Sequence, residues 1–253
     1  MRLQYASDLH LEFADNRDFL DGDGLRPEAD ILILAGDIVP FDRIERYGWF
    51  FDQLAADFKA VYWVPGNHEY YHGDLADHRG SFEIAVRENV FLVNDFAVTH
   101  SDVRLIFATL WTDVSPRFAF SVERGMNDFE LIRFGKERFT VDQAREEHRT
   151  SLAFMEYELA QETPDLQKIV VTHHVPTFQH YPPKYLNSPI NQGFATELDQ
   201  FILNWQPSAW IYGHHHQNIP EFKIGETRLL TNQLGYVQYG EQKLFDRSKV
   251  VEL

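Results

Sequence analysis

The sequence predicts a single α/β domain spanning residues 1–253. Three observations lead there. Short apolar runs recur along the whole chain, several with no polar residue, as strands buried on both faces require. Segments with helical apolar spacing lie between some of them. No internal repeat, low-complexity tract or Gly/Ser/Pro linker divides the chain.

The strand-like runs are Leu3–Ala6, Ile31–Ala35, Ala60–Val64, Val90–Val93, Val103–Leu110, Lys168–Thr172, Ala209–Tyr212, Arg228–Thr231 and Lys249–Glu252. One helix is predicted around Ile44, Tyr47, Phe51, Leu54 and Phe58, which share a face. A second opens at Thr140 with Gln143, the spacing of a capping box. Val141, Ala144, His148, Leu152, Met155 and Leu159 then keep the period until Pro164 stops it. Residues Asp113–Lys136 and Pro176–Gly193 show no clear period and are expected to be irregular binding loops.

Composition narrows the function classes. Hydrophobic residues make up 44% of 253, with 21 Phe, 11 Tyr and 5 Trp, enough for a sizeable core. The absence of cysteine excludes disulfides, thiolate metal sites and a cysteine nucleophile, and fits a reducing compartment. The first residues run into a strand with no signal-peptide pattern, and no apolar run approaches the ~18 residues of a membrane span. A cytoplasmic protein with no membrane contact is expected. A net charge of -16 speaks against nucleic acid and anionic membranes as partners, whereas a phosphate can bind where the site brings its own cations.

The residues just past the strong strands share a chemistry. They are Ser7-Asp8-Leu9-His10, Gly36-Asp37, Pro65-Gly66-Asn67-His68-Glu69, His173-His174 and Gly213-His214-His215-His216. Open α/β sheets bind ligands at such strand ends. In extended backbone, residues i and i+2 share a side. On that reading Asp8 pairs with His10 and His214 with His216, while His215 points away and is incidental. The glycines would let the backbone approach an ion. Nitrogen and oxygen donors without sulfur suit Mn, Fe, Zn, Ni or Co. One Asn, the Asp residues and four or five His exceed one ion's shell and fit two divalent or mixed-valence ions sharing a carboxylate.

Taken singly, each motif has a bland reading as loop, turn or solvated tract. In this order, Asp-x-His, Gly-Asp, Gly-Asn-His-Glu, His-His and Gly-His-x-His resemble the calcineurin-like metallophosphoesterase superfamily. The resemblance runs from Asp8 to His216. The stretches Thr109–Asp113, Met126–Phe129 and Thr227–Tyr236 look like a branch of small stand-alone bacterial members.

The resemblance implies a four-layer αββα sandwich, two mixed sheets flanked by helices. It implies Asp8, His10 and His216 on one metal, Asp37 bridging, and Asn67, His173 and His214 on the other. His68 would be the catalytic histidine beside the leaving group, with Asp8 orienting it. The motif favours His173 over His174 as ligand, leaving His174 to line the pocket or pack behind. The implied reaction is hydrolysis of a small phosphomonoester or phosphodiester, a cyclic nucleotide included, by a hydroxide held between the metals. A nuclease is disfavoured by charge, and a non-catalytic scaffold by the filled motif positions.

Further substrate contacts are expected from Asn67, His68, His174, His180, Tyr185, Asn127 and Asp128. Glu69, Tyr70 and Tyr71 fit either the pocket mouth or packing. His148 reads as a core histidine, and His72, His78 and His100 as surface positions.

Overall fold

The computed structural model describes residues 1–21, 24–163 and 165–253. Its main strands are β1 (Arg2–Ala6), β2 (Ile31–Ala35), β3 (Ala60–Val64), β4 (Phe82–Arg87), β5 (Val90–Asn94), β6 (Phe96–His100) and β7 (Val103–Ala108). After the small pair β8 (Arg133–Phe134) and β9 (Glu137–Arg138) come β10 (Gln167–Thr172), β11 (Ala209–Tyr212), β12 (Phe222–Ile224), β13 (Thr227–Thr231) and β14 (Val250–Glu252).

They form two six-stranded mixed sheets of matching design. The first has the order β14-β1-β2-β3-β5-β4 and the second β12-β13-β11-β10-β7-β6. In each, four central strands are parallel and both edge strands are antiparallel.

Side-chain alternation explains the layers. Ile31, Ile33 and Ala35 face Leu105, Phe107, Ile169 and Ile211 of the other sheet. Leu32, Leu34 and Trp63 face outward and are covered by Phe50, Phe51 and Leu54 of α2 (Gly48–Asp57). Ile106, Val170 and Trp210 face outward on the second sheet, against Met155 and Leu159 of α5 (Val141–Ala160). A strand with apolar neighbours on both faces must be apolar throughout, which is why these runs were legible. The architecture is the expected αββα sandwich. Among the described residues no helix is long and apolar enough to cross a membrane.

Several expectations need correction. The segment Asp113–Lys136 is not irregular: it folds into α3 (Pro116–Gly125), α4 (Asp128–Leu131) and β8. Val122, Met126 and Phe129 pack with Trp111 and Phe139 into a separate apolar cluster. The spacing of Phe118, Val122 and Met126, opened by Ser115-Pro116, was an available helix signal. Sequence reading also missed α1 (Ala14–Asp21), α6 (Asp199–Trp205), and the strands β4, β6 and β12. These strands lie at sheet edges and are partly exposed; charge interrupts β4 and β12, and β6 has no fully buried face to mark it. The predicted strand Val103–Leu110 stops at Ala108, and Leu110 turns left-handed at φ 52°. The first predicted helix begins as a 3-10 turn, Phe41–Tyr47, before α2. The capping box at Thr140 and Gln143 forms as expected. The predicted stop at Pro164 lies outside the described residues. Pro176–Gly193 remains largely irregular, with 3-10 turns at Pro183–Tyr185 and Asn191–Gly193.

Glu69 ties the ends of β2 and β3 together. It is 1% exposed. Its carboxylate accepts from the amides of Asp37 (3.0 Å), Ile38 (2.6 Å) and Gly66 (2.7 Å) and from Trp63 Nε1 (3.0 Å). It is thus a packing residue and does not line the pocket mouth. Burial pushes its acid up to about 7, against the pull of the amides. Glu69→Gln keeps the shape but turns an NH2 group towards N–H donors. Chemical denaturation should show a loss of roughly 2–3 kcal/mol; unchanged stability would refute the clasp.

Candidate metal centre

The parallel strands of both sheets end at one rim, and backbone bonds sew the rim together. Asp8 N and His10 N donate to Gly36 O and Asp37 O, both at 2.9 Å. Gly213 N donates to His173 O (3.0 Å), and Gly235 N to Asp8 O (3.1 Å). The chain must turn sharply as it leaves each strand. Asp8, His10, Asp37, His214 and His216 have φ values of 56°, 49°, 57°, 80° and 50°. Left-handed backbone in non-glycine residues costs about 1–3 kcal/mol each, and such strain gathers at functional sites. The alternation expected for Asp8/His10 and His214/His216 is therefore corrected: turns, not extended backbone, aim these side chains.

The glycines also act differently from expectation. A Cβ on Gly213 would lie 2.6 Å from Asp8 Oδ2. One on Gly36 would collide with His173, and one on Gly66 with Asp37 Oδ1. They make room for the donor side chains themselves.

Two donor clusters meet at Asp37. In one, atoms of Asp8, His10, Asp37 and His216 lie within 4.8 Å of one another; in the other, atoms of Asp37, His173 and His214 do. Asn67 Oδ1 joins the second, 3.1 Å from His173 Nε2. All seven are the residues expected as ligands, and the structure brings them together.

Hydrogen bonds settle which nitrogens are free to coordinate. His10 Nδ1 faces Glu12 Oε1 at 3.1 Å, and His216 Nδ1 faces Glu241 Oε2 at 2.9 Å. A carboxylate accepts, so each Nδ1 carries its proton. The two Nε2 atoms then oppose each other at 3.0 Å, so a proton or a metal cation must lie between or beside them. The second cluster repeats this logic. His173 Nδ1 must donate to the Ala35 carbonyl (2.9 Å). The Asn67 amide donates to Asp128 Oδ1 (2.8 Å) and to the Tyr71 hydroxyl (3.2 Å). His173 Nε2 and Asn67 Oδ1 thus converge as acceptors. His214 Nδ1 sits 3.0 Å from His173 Nε2, while its buried Nε2 has no partner among the described residues.

The electrostatics agree. Burial, then the charges of Glu69 and Asp8, push the Asp37 acid well above the usual carboxylate range. Positive charge is needed to keep it ionised. Burial lowers His10 and His173 to about 4 and His214 well below its ordinary value, so all three are neutral donors. Burial opposes charge on His216, but Asp8 and Glu241 outweigh it and push it up to about 9. The donor set fits metal ions that would take over the role of that proton.

Glu12, Glu241 and Tyr236 were missed as site residues. Glu12 Oε1 accepts from both His10 Nδ1 and His68 Nδ1, the latter at 2.8 Å. Burial alone would raise its acid, but His10 and His68 hold it well below the usual range. Its place two residues past His10 in Asp-x-His-x-Glu was the available signal. His68 stacks on Tyr71 with centroids 4.1 Å apart, and its Nε2 lies 3.2 Å from the Tyr236 hydroxyl.

The centre opens into a cavity of about 360 Å³ that includes Asp37, Asn67, His68, His214 and His216 in its lining. Asn127, Asp128, Tyr185 and Tyr71 also line it. Asp128, expected as a substrate contact, mainly orients Asn67, because its Oδ1 accepts from Asn67 and from the Tyr71 hydroxyl (2.7 Å). His174 is a correction: it packs behind the site, with Nδ1 3.1 Å from the Thr109 carbonyl. His180 is another, being outside the cavity and against the Phe222 ring at 4.5 Å. His215 points away to Gln233, 2.8 Å, but it is buried and lines the cavity, so it is no idle residue. Tyr70 is core. His148 is buried against the Trp111 carbonyl at 2.5 Å, and His72 is exposed. His78 and His100 are only part-exposed, the one against Phe41 and the other 2.8 Å from the Tyr62 hydroxyl.

Comparison with known proteins assigns this architecture and site to one class. The model of the calcineurin-like phosphoesterases matches residues 1–218, and the chain belongs to that family. An uncharacterised protein of Acanthamoeba polyphaga mimivirus is 31% identical over 92% of this chain and 91% of its own length. Among solved structures, phosphopantetheinyl hydrolase from Mycobacterium tuberculosis superposes with a TM-score of 0.70 at 19% identity, over 98% of this chain and 95% of the other. A dimetal phosphatase from Danio rerio gives 0.52 at 13% identity, over 92% and 87%. At such identities these structures speak for the fold alone.

Asp37→Ala should lose metal from both clusters, because its carboxylate is common to them. Glu241→Gln should weaken metal binding by about 10–100-fold, since it orients His216. His215→Ala should keep its metal and lose only stability. Elemental analysis of the three variants decides; two tightly held ions in Asp37→Ala would refute a shared carboxylate.

Proposed function

We propose that the chain is a metal-dependent phosphoesterase that hydrolyses small phosphomonoesters or phosphodiesters at a dinuclear centre. The observation that carries this reading is the convergence of acceptor atoms from both sheets on the shared Asp37, beside an imidazole outside either cluster. Asp8, His10 and His216 would hold one ion, and Asn67, His173 and His214 the other. When bound, the ions supply Lewis acidity towards phosphoryl oxygens and activation of water. Their identity falls within Mn, Fe, Zn, Ni or Co on donor chemistry.

The chain's own residues supply the remainder. Asn67 contributes a neutral carbonyl oxygen, so the second cluster adds little negative charge against an incoming phosphate. Asp128 and Tyr71 hold that oxygen towards the site. Glu12 holds the Nδ1 proton of His68, which turns Nε2 to the cavity. When the ring carries a second proton on Nε2, it can pass that proton to the departing oxygen and remain neutral, with its Nδ1 proton still held by Glu12. Tyr236, whose hydroxyl burial keeps protonated, stands beside Nε2. A small phosphorylated molecule suits a cavity of about 360 Å³, and the excess of 39 acidic over 23 basic residues disfavours a nucleic acid.

His68→Ala should retain metal yet lower kcat by about 10²–10⁴-fold. Alkyl esters should suffer more than nitrophenyl esters, because an alkoxide needs the proton more than a phenolate. Metal content and kcat on both ester classes test this. Equal slowing of both would remove His68 from the proton-donating role.

A further inference from the structure

The part of the cavity beyond the metal donors has a definite chemistry. Its wall is built where the end of α3 meets the loop before Phe194. A Cβ on Gly125 would lie 2.6 Å from Ile190 Cγ2, and one on Gly193 would collide with Met126 Sδ. Two glycines thus allow two backbone segments to close into one apolar wall. Phe194 continues it to the centre, with its ring 4.9 Å from that of His214. Tyr185 stands at the outer edge, 40% exposed.

Charge in this space is one-sided. Among the described residues, no lysine or arginine lines the cavity, while Asp37, Asp128 and Glu241 do. The cation nearby, Lys184, is not part of the lining. Its ammonium lies 4.4 Å from the centre of the Tyr185 ring. The polar groups left on the wall are neutral, such as Asn127 and Ser188.

We propose that this cavity selects esters with a single phosphate on an uncharged, largely apolar alcohol, and rejects molecules with a second phosphate. The proposal rests on the phosphoesterase reading and deepens it. One phosphoryl group can be neutralised at the donor clusters. A second, placed along the wall, would lose its water against Met126, Ile190 and Phe194 and face the Glu241 carboxylate with no cation in the lining to pair it. An apolar chain in the same place gains from leaving water.

A non-hydrolysable pair tests binding apart from turnover. Pentylphosphonate and its terminally phosphonylated analogue differ only at the far end. Calorimetry with metal-loaded protein should find pentylphosphonate binding at least about tenfold more tightly. Ile190→Arg should erase or reverse that preference by adding the missing cation. Asn127→Lys, at an exposed lining position, serves if the substitution at the half-buried Ile190 does not fold. Tighter or equal binding of the analogue with two phosphonate groups by the natural protein would overturn the proposal, with Lys184 the group to examine. So would an unchanged preference in a folded cationic variant, or failure of both ligands to bind. Nitrophenyl phosphate hydrolysis, measured alongside, keeps the two readings apart: selective binding without hydrolysis would sink the enzyme and leave the cavity's preference standing.

Discussion

Opposed acceptors govern this molecule. His10 and His216 present Nε2 to Nε2 at 3.0 Å, and His173 presents Nε2 to Asn67 Oδ1 at 3.1 Å. Each arrangement calls for a proton or a metal cation between or beside the atoms. Around them, the backbone spends strain in five left-handed donor residues, and the turns after β2 and β3 hang on the buried Glu69 carboxylate. These features weaken an isolated fold and become reasonable only as parts of a site that a cation completes.

The partners behind the donors matter as much as the donors. Glu12, Glu241, Asp128 and the Ala35 carbonyl each accept from, and so orient, one donor group. Glu12 does so twice, and through one oxygen it links the His10 ring to the His68 ring. The position of the metal donors and that of the imidazole beside them are therefore set by a common group. The wall of the cavity comes from elsewhere, from α3 and the loop before Phe194, which contribute no metal donor. The proposed chemistry and the proposed selectivity thus lie on different parts of the chain, the first on strand ends and the second on the connections between them.

Much of this was legible without coordinates, for a definite reason. Central strands such as Ile31–Ala35 and Ala60–Val64 are buried on both faces, so their sequence is apolar without interruption and their ends are sharp. The polar residues immediately past those ends stand out, and the candidate donors Asp8, His10, Asp37, Asn67, His173, His214 and His216 were legible through the order of their motifs and not one by one. The capping box of Thr140 and Gln143 was equally local.

What only the tertiary structure decided is what depends on distance across the chain. Edge strands such as Phe82–Arg87 carry charge on an open face and lose their pattern. Helix α3 owes its buried face to Trp111 and Phe139, which lie outside it. His174 and His180 look like any histidine near a motif until packing puts one against the Thr109 carbonyl and the other on Phe222. Glu241 is 25 residues from His216, so no local spacing marks it as that ring's partner. The candidate donors Asp8, His10, Asp37, His214 and His216 are aimed by left-handed turns, because side-chain direction at a strand's end is set by how the chain leaves the sheet and not by alternation within it.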